Sequence, residues 1–256
     1  MRLVRFQQAK EEARYGWIYE DKIGTVEGSI FGEYHRSTAD IRLAAVRLLA
    51  PVQPSKIICV GRNYLAHARE HNADPPEIPL LFLKPPSSVI GDGDSIVLPP
   101  QSQQVEHEAE LAVVIGKRAR WLTPDVVRQY IFGYTIGNDV TARDLQNRDG
   151  QWTRSKGFDT FCPLGPWVDT DFDPTDALIT CQVNGEMRQM ASTVDMIFSV
   201  YQLIAFISSI MTLEAGDVIL TGTPAGVSPI NNGDVVEASI EGLGKLSNPV
   251  QSEVAR

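Results

Sequence analysis

The sequence has little cysteine and a deficit of positive charge. Only three cysteines, Cys59, Cys162 and Cys181, occur among 256 residues. An odd number of distant cysteines excludes a disulfide framework and a zinc cluster, and it is typical of reduced thiols in a cytoplasmic protein. Twenty-three Lys and Arg residues stand against 32 Asp and Glu residues, for a net charge of −9. Because phosphates are bound by basic surfaces, we expect neither nucleic acid nor an anionic membrane as a partner.

Several common signature motifs are also absent. The sequence contains no GxSxG, HExxH, Walker lysine loop or GxGxxG. Its nearest glycine clusters, GDGD at 91–94 and TGTPAG at 221–226, are more typical of turns than of phosphate-binding loops. The commonest hydrolase, metalloprotease and nucleotide-binding classes are therefore excluded.

Long hydrophobic runs are scarce, and one uncharged stretch of 18 residues runs from Met196 to Leu213. Its apolar residues form a helical stripe, with serine and glutamine on the opposite side. Ser192 and Asp195 resemble a capping box before it, and Gly216 follows its end. The stretch predicts a buried helix and not a membrane span. The charged start of the chain has no apolar core, so no secretory signal is expected.

Short β-branched segments bounded by turn residues dominate the chain. The predicted strands are KIICVG, SIVLP, AELAVVIG, ALITCQVNG, DVILTG and DVVEASIEG. Strands and helices do not alternate regularly, so we predict an α+β, β-dominated fold and not a doubly wound sheet. Earlier runs, GWIYE, KIGTVEG and SIFGEY, precede the proline-containing LLAPVQPSK. We therefore predict a small strand-rich N-terminal region, residues 1–52, and a main domain, residues 53–256.

The segment VEHEAELAVVIGK carries two carboxylates on one predicted strand. Glu108 and Glu110 are two residues apart, so both side chains share a face of that strand. Asp139 follows the strand-like FGYTIGN. Three carboxylates offer hard oxygen ligands, which suit Mg²⁺ or Mn²⁺ and not zinc. Alternatively, the two glutamates lie on a solvated face and Asp139 caps a turn.

Two further groups are candidates for proton transfer and charge stabilisation. In LAHAREH, a helical turn would place His67 beside Glu70, and a histidine oriented by a carboxylate is a suitable general base. In QWTRSKGFDTF, Lys156 lies between small residues and would stabilise an enolate or, as a weaker alternative, form a Schiff base. An exposed histidine and a surface lysine are the simpler interpretations of each residue taken alone.

Taken together, these segments resemble the fumarylacetoacetate hydrolase superfamily. The resemblance is carried, in order, by GRNYLAHARE, PLLFLKPPSSVIG, EHEAELAVVIGK, GNDVTARDLQ, QWTRSKGFDTFCPLGPW, VNGEMRQ and DVILTGTPAGV. It implies a β-rich roll built from a mixed sandwich, usually a homodimer, with a divalent ion, Mg²⁺ or Mn²⁺, in its cavity.

The resemblance also implies roles for nine residues. Glu108, Glu110 and Asp139 match the metal ligands, His67 and Glu70 match the base dyad, Lys156 matches the active-site lysine, and Arg143, Gln146 and Thr223 match positions that face the substrate. An ion pair with Asp144 or Glu110 is the alternative role for Arg143.

The implied chemistry acts on small 2-oxo or 2-hydroxy (di)carboxylic acids through a metal-bound enolate. The segment DGQWTRSKGFDTFCPLGPW favours the branch of 2-hydroxyhepta-2,4-diene-1,7-dioate isomerase/decarboxylase, an enzyme type of aromatic catabolism. An acylpyruvate (fumarylpyruvate-like) hydrolase and an oxaloacetate decarboxylase remain alternatives. A Schiff-base lyase and a non-catalytic metal- or ligand-binding protein are alternatives of other classes.

Overall fold

The computed structural model describes residues 1–9, 11–70 and 73–253. Twenty strands and four α-helices occur in this part of the chain. The strands are β1 Arg2–Gln7, β2 Arg14–Tyr19, β3 Lys22–Gly28, β4 Tyr34–Arg36, β5 Ile41–Arg42, β6 Arg47–Leu49, β7 Ile57–Gly61, β8 Leu80–Lys84, β9 Val89–Ile90, β10 Ile96–Leu98, β11 Val105–Glu106, β12 Ala109–Ile115, β13 Ile131–Asn138, β14 Thr141–Ala142, β15 Cys162–Asp169, β16 Leu178–Val183, β17 Glu186–Ser192, β18 Val218–Leu220, β19 Val235–Ile240 and β20 Gly244–Ser252. The helices are α1 Leu65–Glu70, α2 Arg143–Asp149, α3 Thr153–Lys156 and α4 Val200–Ile210.

Three sheets of unequal size organise these strands. A 13-stranded sheet contains the path β4-β3-β2-β1-β15-β13-β12-β18-β7-β8, and a 5-stranded sheet follows the order β10-β20-β19-β16-β17. Two short strands, β11 and β14, form a separate pair. Most pairs are antiparallel, but β18 runs parallel to β7. The predicted α+β, β-dominated fold is confirmed, and each of the six strands predicted after residue 52 contains an observed one.

Strand β12 lies inside the large sheet and is buried on both faces. It pairs with β13 on one side and β18 on the other, and every residue from 109 to 115 is buried. Leu111 and Val113 pack into the main core, whereas Ala112 and Val114 pack into a second apolar cluster on the opposite face. By the alternation of side chains along a strand, Glu108 and Glu110 share the face of Ala112. Both carboxylates therefore enter the interior of the protein at one end of this strand.

The predicted helix at 196–213 is shorter than expected and begins at a different residue. Ser192 and Asp195 do form a capping box, but it starts the short 3₁₀ turn Thr193–Asp195. Helix α4 has its own box, from Ser199 to Gln202. Its inward side chains lie in the main core. No helix in the described residues is long and apolar enough to cross a membrane.

The N-terminal strands continue the large sheet. Strand β1, which the charged start of the sequence did not reveal, pairs with β15 through Arg2–Asp169 and Leu3–Val168. The expected strand SIFGEY is wrong over residues 29–33, which form a turn closed by a hydrogen bond from the Ser29 N–H to the Glu33 carbonyl. Only the residues after it, in β4, are extended.

Candidate metal centre and active site

Three carboxylates meet where β12 begins and β13 ends. Ligand oxygens of Glu108, Glu110 and Asp139 all lie within 4.8 Å of one another, and the three residues are buried. Two hydrogen bonds fix the crossing: Asp139 N–H donates to the Glu108 carbonyl at 2.8 Å, and Glu108 N–H donates to Asn138 Oδ1 at 2.9 Å. The antiparallel pairing of the two strands thus brings residues 30 positions apart in sequence to one point.

Three buried cations surround this triad. Lys84 Nζ donates to Asp139 Oδ1 at 2.5 Å. Lys156 Nζ donates to Asp139 Oδ2 at 2.6 Å and to Glu108 Oε2 at 2.7 Å. Arg143 forms an ion pair with the other oxygen of Glu108. Two of the three acids therefore have cationic partners within hydrogen-bond distance.

Glu110 is the exception. Among the described residues, it accepts one hydrogen bond, from the backbone N–H of Gly222 at 2.7 Å. Burial raises the pKa of Glu110 well above its ordinary value, and the charges of Asp139 and Glu108 raise it further. Burial would also raise the pKa of Glu108, but Lys156 and Arg143 outweigh it and hold that pKa far below its ordinary value. The negative charge of the triad is therefore least compensated at Glu110.

This donor set fits a divalent cation. Three buried carboxylates provide hard oxygen ligands, which Mg²⁺ and Mn²⁺ prefer. With Glu106, which binds Arg143, the cluster has four acids and three bases, so its formal charge without an ion, counting every group as ionised, is −1. A divalent ion would change this sum to +1. The poorly compensated Glu110 is the observation in this structure that favours such an ion.

Arg143 has a different partner from the two weighed in sequence. Its Nε donates to Glu106 Oε2 at 2.7 Å, and one terminal nitrogen donates to Gln146 Oε1 at 2.5 Å. Asp144 instead accepts from the Ser102 hydroxyl at 2.5 Å. The alternative of an ion pair with Asp144 or Glu110 is thus wrong. The Arg143 guanidinium is instead paired with Glu106 on β11 and with Glu108.

Lys156, at the end of α3, is buried, and its ammonium group is paired with two carboxylates. Burial would lower its pKa, but Asp139 and Glu108 outweigh burial and hold the pKa above its ordinary value. Its ammonium also lies 5.0 Å from the centre of the Phe82 ring. A protonated amine is no nucleophile, so the arrangement favours charge stabilisation over a Schiff base.

The predicted histidine–acid pair forms on α1. His67 is buried, and its Nδ1 lies 3.3 Å from Glu70 Oε2. Glu70 also accepts the backbone N–H of Gly226, at 3.1 Å and 3.3 Å from its two oxygens. Residue 71, the last of the predicted helical turn, lies outside the described residues. The acid that orients His67 is therefore itself held by the loop after β18.

One cleft that opens to solvent collects these groups. Eight of the nine residues singled out in sequence contribute to its wall; the ninth, Glu70, lies behind His67. The wall comprises Val60, Gly61, Arg62, His67, Phe82, Glu108, Glu110, Asp139, Arg143, Gln146, Asn147, Trp152, Lys156 and Thr223.

Comparison with known protein families shows the family to which the chain belongs. Residues 56–251 match the family model "Fumarylacetoacetate (FAA) hydrolase C-terminal", and residues 1–51 match "Rv2993c-like, N-terminal". The chain belongs to the fumarylacetoacetate hydrolase family. The resemblance drawn from the sequence motifs is confirmed.

Named relatives of this family member are enzymes with different reactions. Oxaloacetate tautomerase Fahd2a, mitochondrial, of Rattus norvegicus is 46% identical over 217 residues, 80% of this chain and 69% of that protein. The structure of 2-hydroxyhepta-2,4-diene-1,7-dioate isomerase from Mycobacterium marinum is 43% identical, with a TM-score of 0.91 and complete coverage of both chains. Maleylpyruvate hydrolase from Sphingobium sp. SYK-6, solved with manganese(II) and pyruvate, is 31% identical; its TM-score is 0.82, with 99% of this chain and 100% of that chain covered.

The sequence analysis did not single out four polar residues that lie in or around the candidate site. Lys84 and Glu106 lie in segments that carried the resemblance or adjoined it, but an isolated lysine or glutamate gives no sign of its partner. Arg62 lies on the cavity wall with a left-handed φ of 58°, a conformation that non-glycine residues adopt rarely and mostly at functional sites. Gln189, inside VNGEMRQ, is completely buried.

A substitution at Gly226 tests the support of Glu70. Gly226 has a φ of +100°, and a Cβ there would lie 2.0 Å from the Arg188 carbonyl oxygen. We expect Gly226→Ala to displace the loop, remove the N–H from Glu70 and lower kcat about 100-fold, since a displacement near 1 Å has that effect. Gly233→Ala is the control, because Gly233 has a φ of +92° with open space around it. Steady-state kinetics of both variants check this, and equal kcat losses would contradict it.

Proposed function

We propose that this protein is a divalent-metal-dependent enzyme that transfers a proton on a small 2-oxo or 2-hydroxy dicarboxylic acid. The proposed type is 2-hydroxyhepta-2,4-diene-1,7-dioate isomerase/decarboxylase, in the degradation of aromatic compounds. The observation that carries the proposal is the buried triad, in which Glu110 has no cationic hydrogen-bond partner among the described residues, and which shares one cleft with Lys156 and His67. The 43% identity to an isomerase of that name supports it.

Glu108, Glu110 and Asp139 would hold the ion, proposed as Mg²⁺ or Mn²⁺. When bound, such an ion polarises a carbonyl oxygen and stabilises negative charge on it. The hydrolase relative that was solved with manganese(II) supports this assignment. With the ion present, the buried cluster would carry +1 instead of −1, which favours an anionic substrate.

The remaining hydrogen-bond donors suit a carboxylate substrate. Lys156 has three N–H donors, of which two are used by Glu108 and Asp139. Arg143 has five, of which three are used by Glu106, Glu108 and Gln146. We therefore propose that Lys156 stabilises the developing enolate oxygen and that Arg143 and the Gln146 amide bind a substrate carboxylate.

Thr223 has a narrower role. Its hydroxyl donates to the Ala109 carbonyl at 2.9 Å and accepts from Gln189 Nε2 at 2.7 Å. Since a hydroxyl has one hydrogen, Thr223 can only accept a further bond. We propose that it accepts a hydrogen bond from an enol or a water and does not bind a carboxylate.

His67, oriented by Glu70, is the proposed base. In the isomerisation, one proton leaves the enol oxygen and one is added to a carbon of the conjugated chain, so the atoms balance without a co-reactant. In an acylpyruvate hydrolase the same pair would take a proton from an attacking water. Oxaloacetate tautomerisation is the second candidate, because the rat tautomerase is 46% identical and needs the same kind of proton shift.

All nine proposed site residues belong to residues 53–256, which we propose as the catalytic unit beside the strand-rich region 1–52. A homodimer and a cytoplasmic location, which the sequence led us to expect, remain proposals. Analytical ultracentrifugation of the metal-loaded protein measures the first.

A substrate panel tests the proposal. The protein is freed of metal with EDTA, reloaded with Mg²⁺ or Mn²⁺ and assayed with 2-hydroxyhepta-2,4-diene-1,7-dioate, enol oxaloacetate and an acylpyruvate. We expect the highest kcat/KM with the heptadienedioate and loss of turnover with EDTA. A preference for the acylpyruvate would favour the hydrolase, and no metal-dependent turnover of any compound would favour a non-catalytic binding protein.

A further inference from the structure

Gln189 lies outside the cavity wall but contacts groups on both sides of the site. It is on β17 and is completely buried. Its Oε1 accepts from the Ala109 N–H at 3.0 Å and lies 3.1 Å from His107 Nδ1. Its Nε2 donates to Thr223 Oγ1 and to the Pro224 carbonyl, both at 2.7 Å. One side chain thus joins the start of β12, which carries the carboxylates, to the loop 223–228.

The orientation of this amide is fixed by its backbone partners. The Ala109 N–H can only donate and the Pro224 carbonyl can only accept, so Oε1 and Nε2 cannot exchange places. His107 Nδ1 must then carry a hydrogen in order to bond Oε1. Its Nε2, 2.9 Å from the Ser228 hydroxyl, is left to accept from that hydroxyl in the neutral ring. Both donors and both acceptor positions of the Gln189 amide are used.

The loop held in this way supports the proposed base. Pro224 and Ser228, the two bonded residues, flank Gly226, whose N–H is donated to Glu70. Gly226 packs directly on the Arg188 carbonyl, one residue before Gln189. A shift of the loop away from β17 would therefore move the N–H that holds Glu70.

We propose that Gln189 and His107 are positioning residues that set the base dyad His67–Glu70 at its working distance from the carboxylate triad. Gln189 bonds the strand of the triad and the loop of the dyad at once, and His107 makes a second link between them through Ser228. This inference rests on the proposed function of the site. Neither residue touches the reacting groups.

Substitutions at Gln189 test the coupling. Gln189→Glu preserves the size of the side chain but cannot make both donations, to Thr223 and Pro224. Gln189→Met preserves length and loses all four hydrogen bonds. We expect kcat to fall about 10-fold in Q189E and about 100-fold in Q189M, within the range seen for supporting residues of metal sites. KM should stay within about threefold, since Arg143, Gln146 and Lys156 are untouched.

Asn248→Asp is the matched control. Asn248 is a buried amide on β20 that donates to two backbone carbonyls, those of Gly91 at 2.9 Å and Asp94 at 2.8 Å. It lies away from the cavity wall. We expect N248D to lower the melting temperature as much as Q189E does while kcat stays within about twofold. Equal kcat losses in N248D and Q189E would show that general destabilisation is the cause and would overturn the proposal.

Amide hydrogen exchange gives a readout that does not depend on activity. In Q189M we expect the backbone amides of residues 223 and 225–228 to exchange about 10-fold faster or more, whereas the amide of Gly222, which is bonded to Glu110, keeps its protection. Unchanged exchange at 223–228 would overturn the coupling even if kcat fell. If the wild-type protein turned over no compound of the panel, the proposed function would fail, and the exchange result would still decide whether Gln189 holds the loop. Faster exchange with unaltered kcat would show that the coupling has no catalytic role.

Discussion

Glu110→Gln is expected to bind Mn²⁺ at least about 100-fold more weakly than the wild type and to lose about 10³-fold in kcat/KM. One of three ligands loses its charge, and the substrate carbonyl then loses the polarisation supplied by the ion. The folded apoprotein should gain stability, because Glu110 is a buried acid whose one hydrogen-bond donor among the described residues is the Gly222 N–H. A gain of about 1 kcal/mol would raise the melting temperature by about 2–4 °C for a chain of this size.

Asp139→Asn is expected to lose the metal to the same extent but to change stability in the opposite direction. Asp139 accepts from both Lys84 and Lys156, which are themselves buried. Removal of one partner from a buried ion pair leaves an uncompensated charge and destabilises by about 3 kcal/mol or more. If the two variants lose the metal equally but change the stability of the apoprotein in opposite directions, the loss of metal cannot be a result of unfolding.

Titration calorimetry with Mn²⁺ and thermal melts without metal measure the two effects. Glu186→Gln, which removes an acid whose side chain is 73% exposed, is the control and should change neither quantity. Stoichiometric metal in the Glu110 variant, or equal destabilisation in both variants, would contradict the assignment of the triad.

His67→Gln is expected to lower isomerisation by about 10²–10⁴-fold while metal-dependent decarboxylation of oxaloacetate falls less than about 10-fold. A positioned general base contributes 10²–10⁴ to a step that moves a proton. When oxaloacetate loses the carboxylate that is β to its 2-oxo group, the C–C bonding pair becomes an enolate. This step requires charge stabilisation, which the ion and Lys156 would supply, but no base. The ratio of the two rates therefore distinguishes the role of the His67–Glu70 dyad in proton transfer from the role of the metal-binding triad in charge stabilisation.

Parallel assays of the variant at one Mn²⁺ concentration check this ratio. His35→Gln, an exposed histidine on β4, is the control and should leave both rates unaltered. Equal losses in both reactions would show that His67 serves a step that they share, and the assignment as a base would be wrong.

The sequence predicted the carboxylates better than it predicted their surroundings. Glu108 and Glu110 were recognisable because the period-two pattern of AELAVVI assigns both to one face of a strand. Lys84 and Glu106 were not, since an ion pair across 37 or 55 residues leaves no local pattern. The ion pair between Arg143 and Glu106 depended on the β11–β14 pairing, which brings Glu106 opposite Thr141.

The start of α4 shows a second limit. Two successive signals, Ser192 with Asp195 and Ser199 with Gln202, each satisfy the capping-box pattern. Tertiary contacts decide which one begins the long helix. After the first turn, the N–H groups of Ile197 and Phe198 both donate to Asn63, each at 2.8 Å, so the helix cannot continue through these residues. Gln189 escaped for the same reason, because its four partners come from residues 107–109 and 223–224.

The side-by-side order β13-β12-β18-β7 has a consequence for how the protein would acquire its ion. The three carboxylates come together only when β12 and β13 have paired. Gly222, which donates a hydrogen bond to Glu110, follows β18, and β18 is synthesised late. An unfinished chain or a partly folded one has no complete ligand set, so metal uptake would follow folding rather than guide it. An ion at 100 times its Kd would then add about 2.7 kcal/mol to the native state alone. Resistance to proteolysis should accordingly rise in one step with metal concentration, across the whole sheet and not only around the cavity.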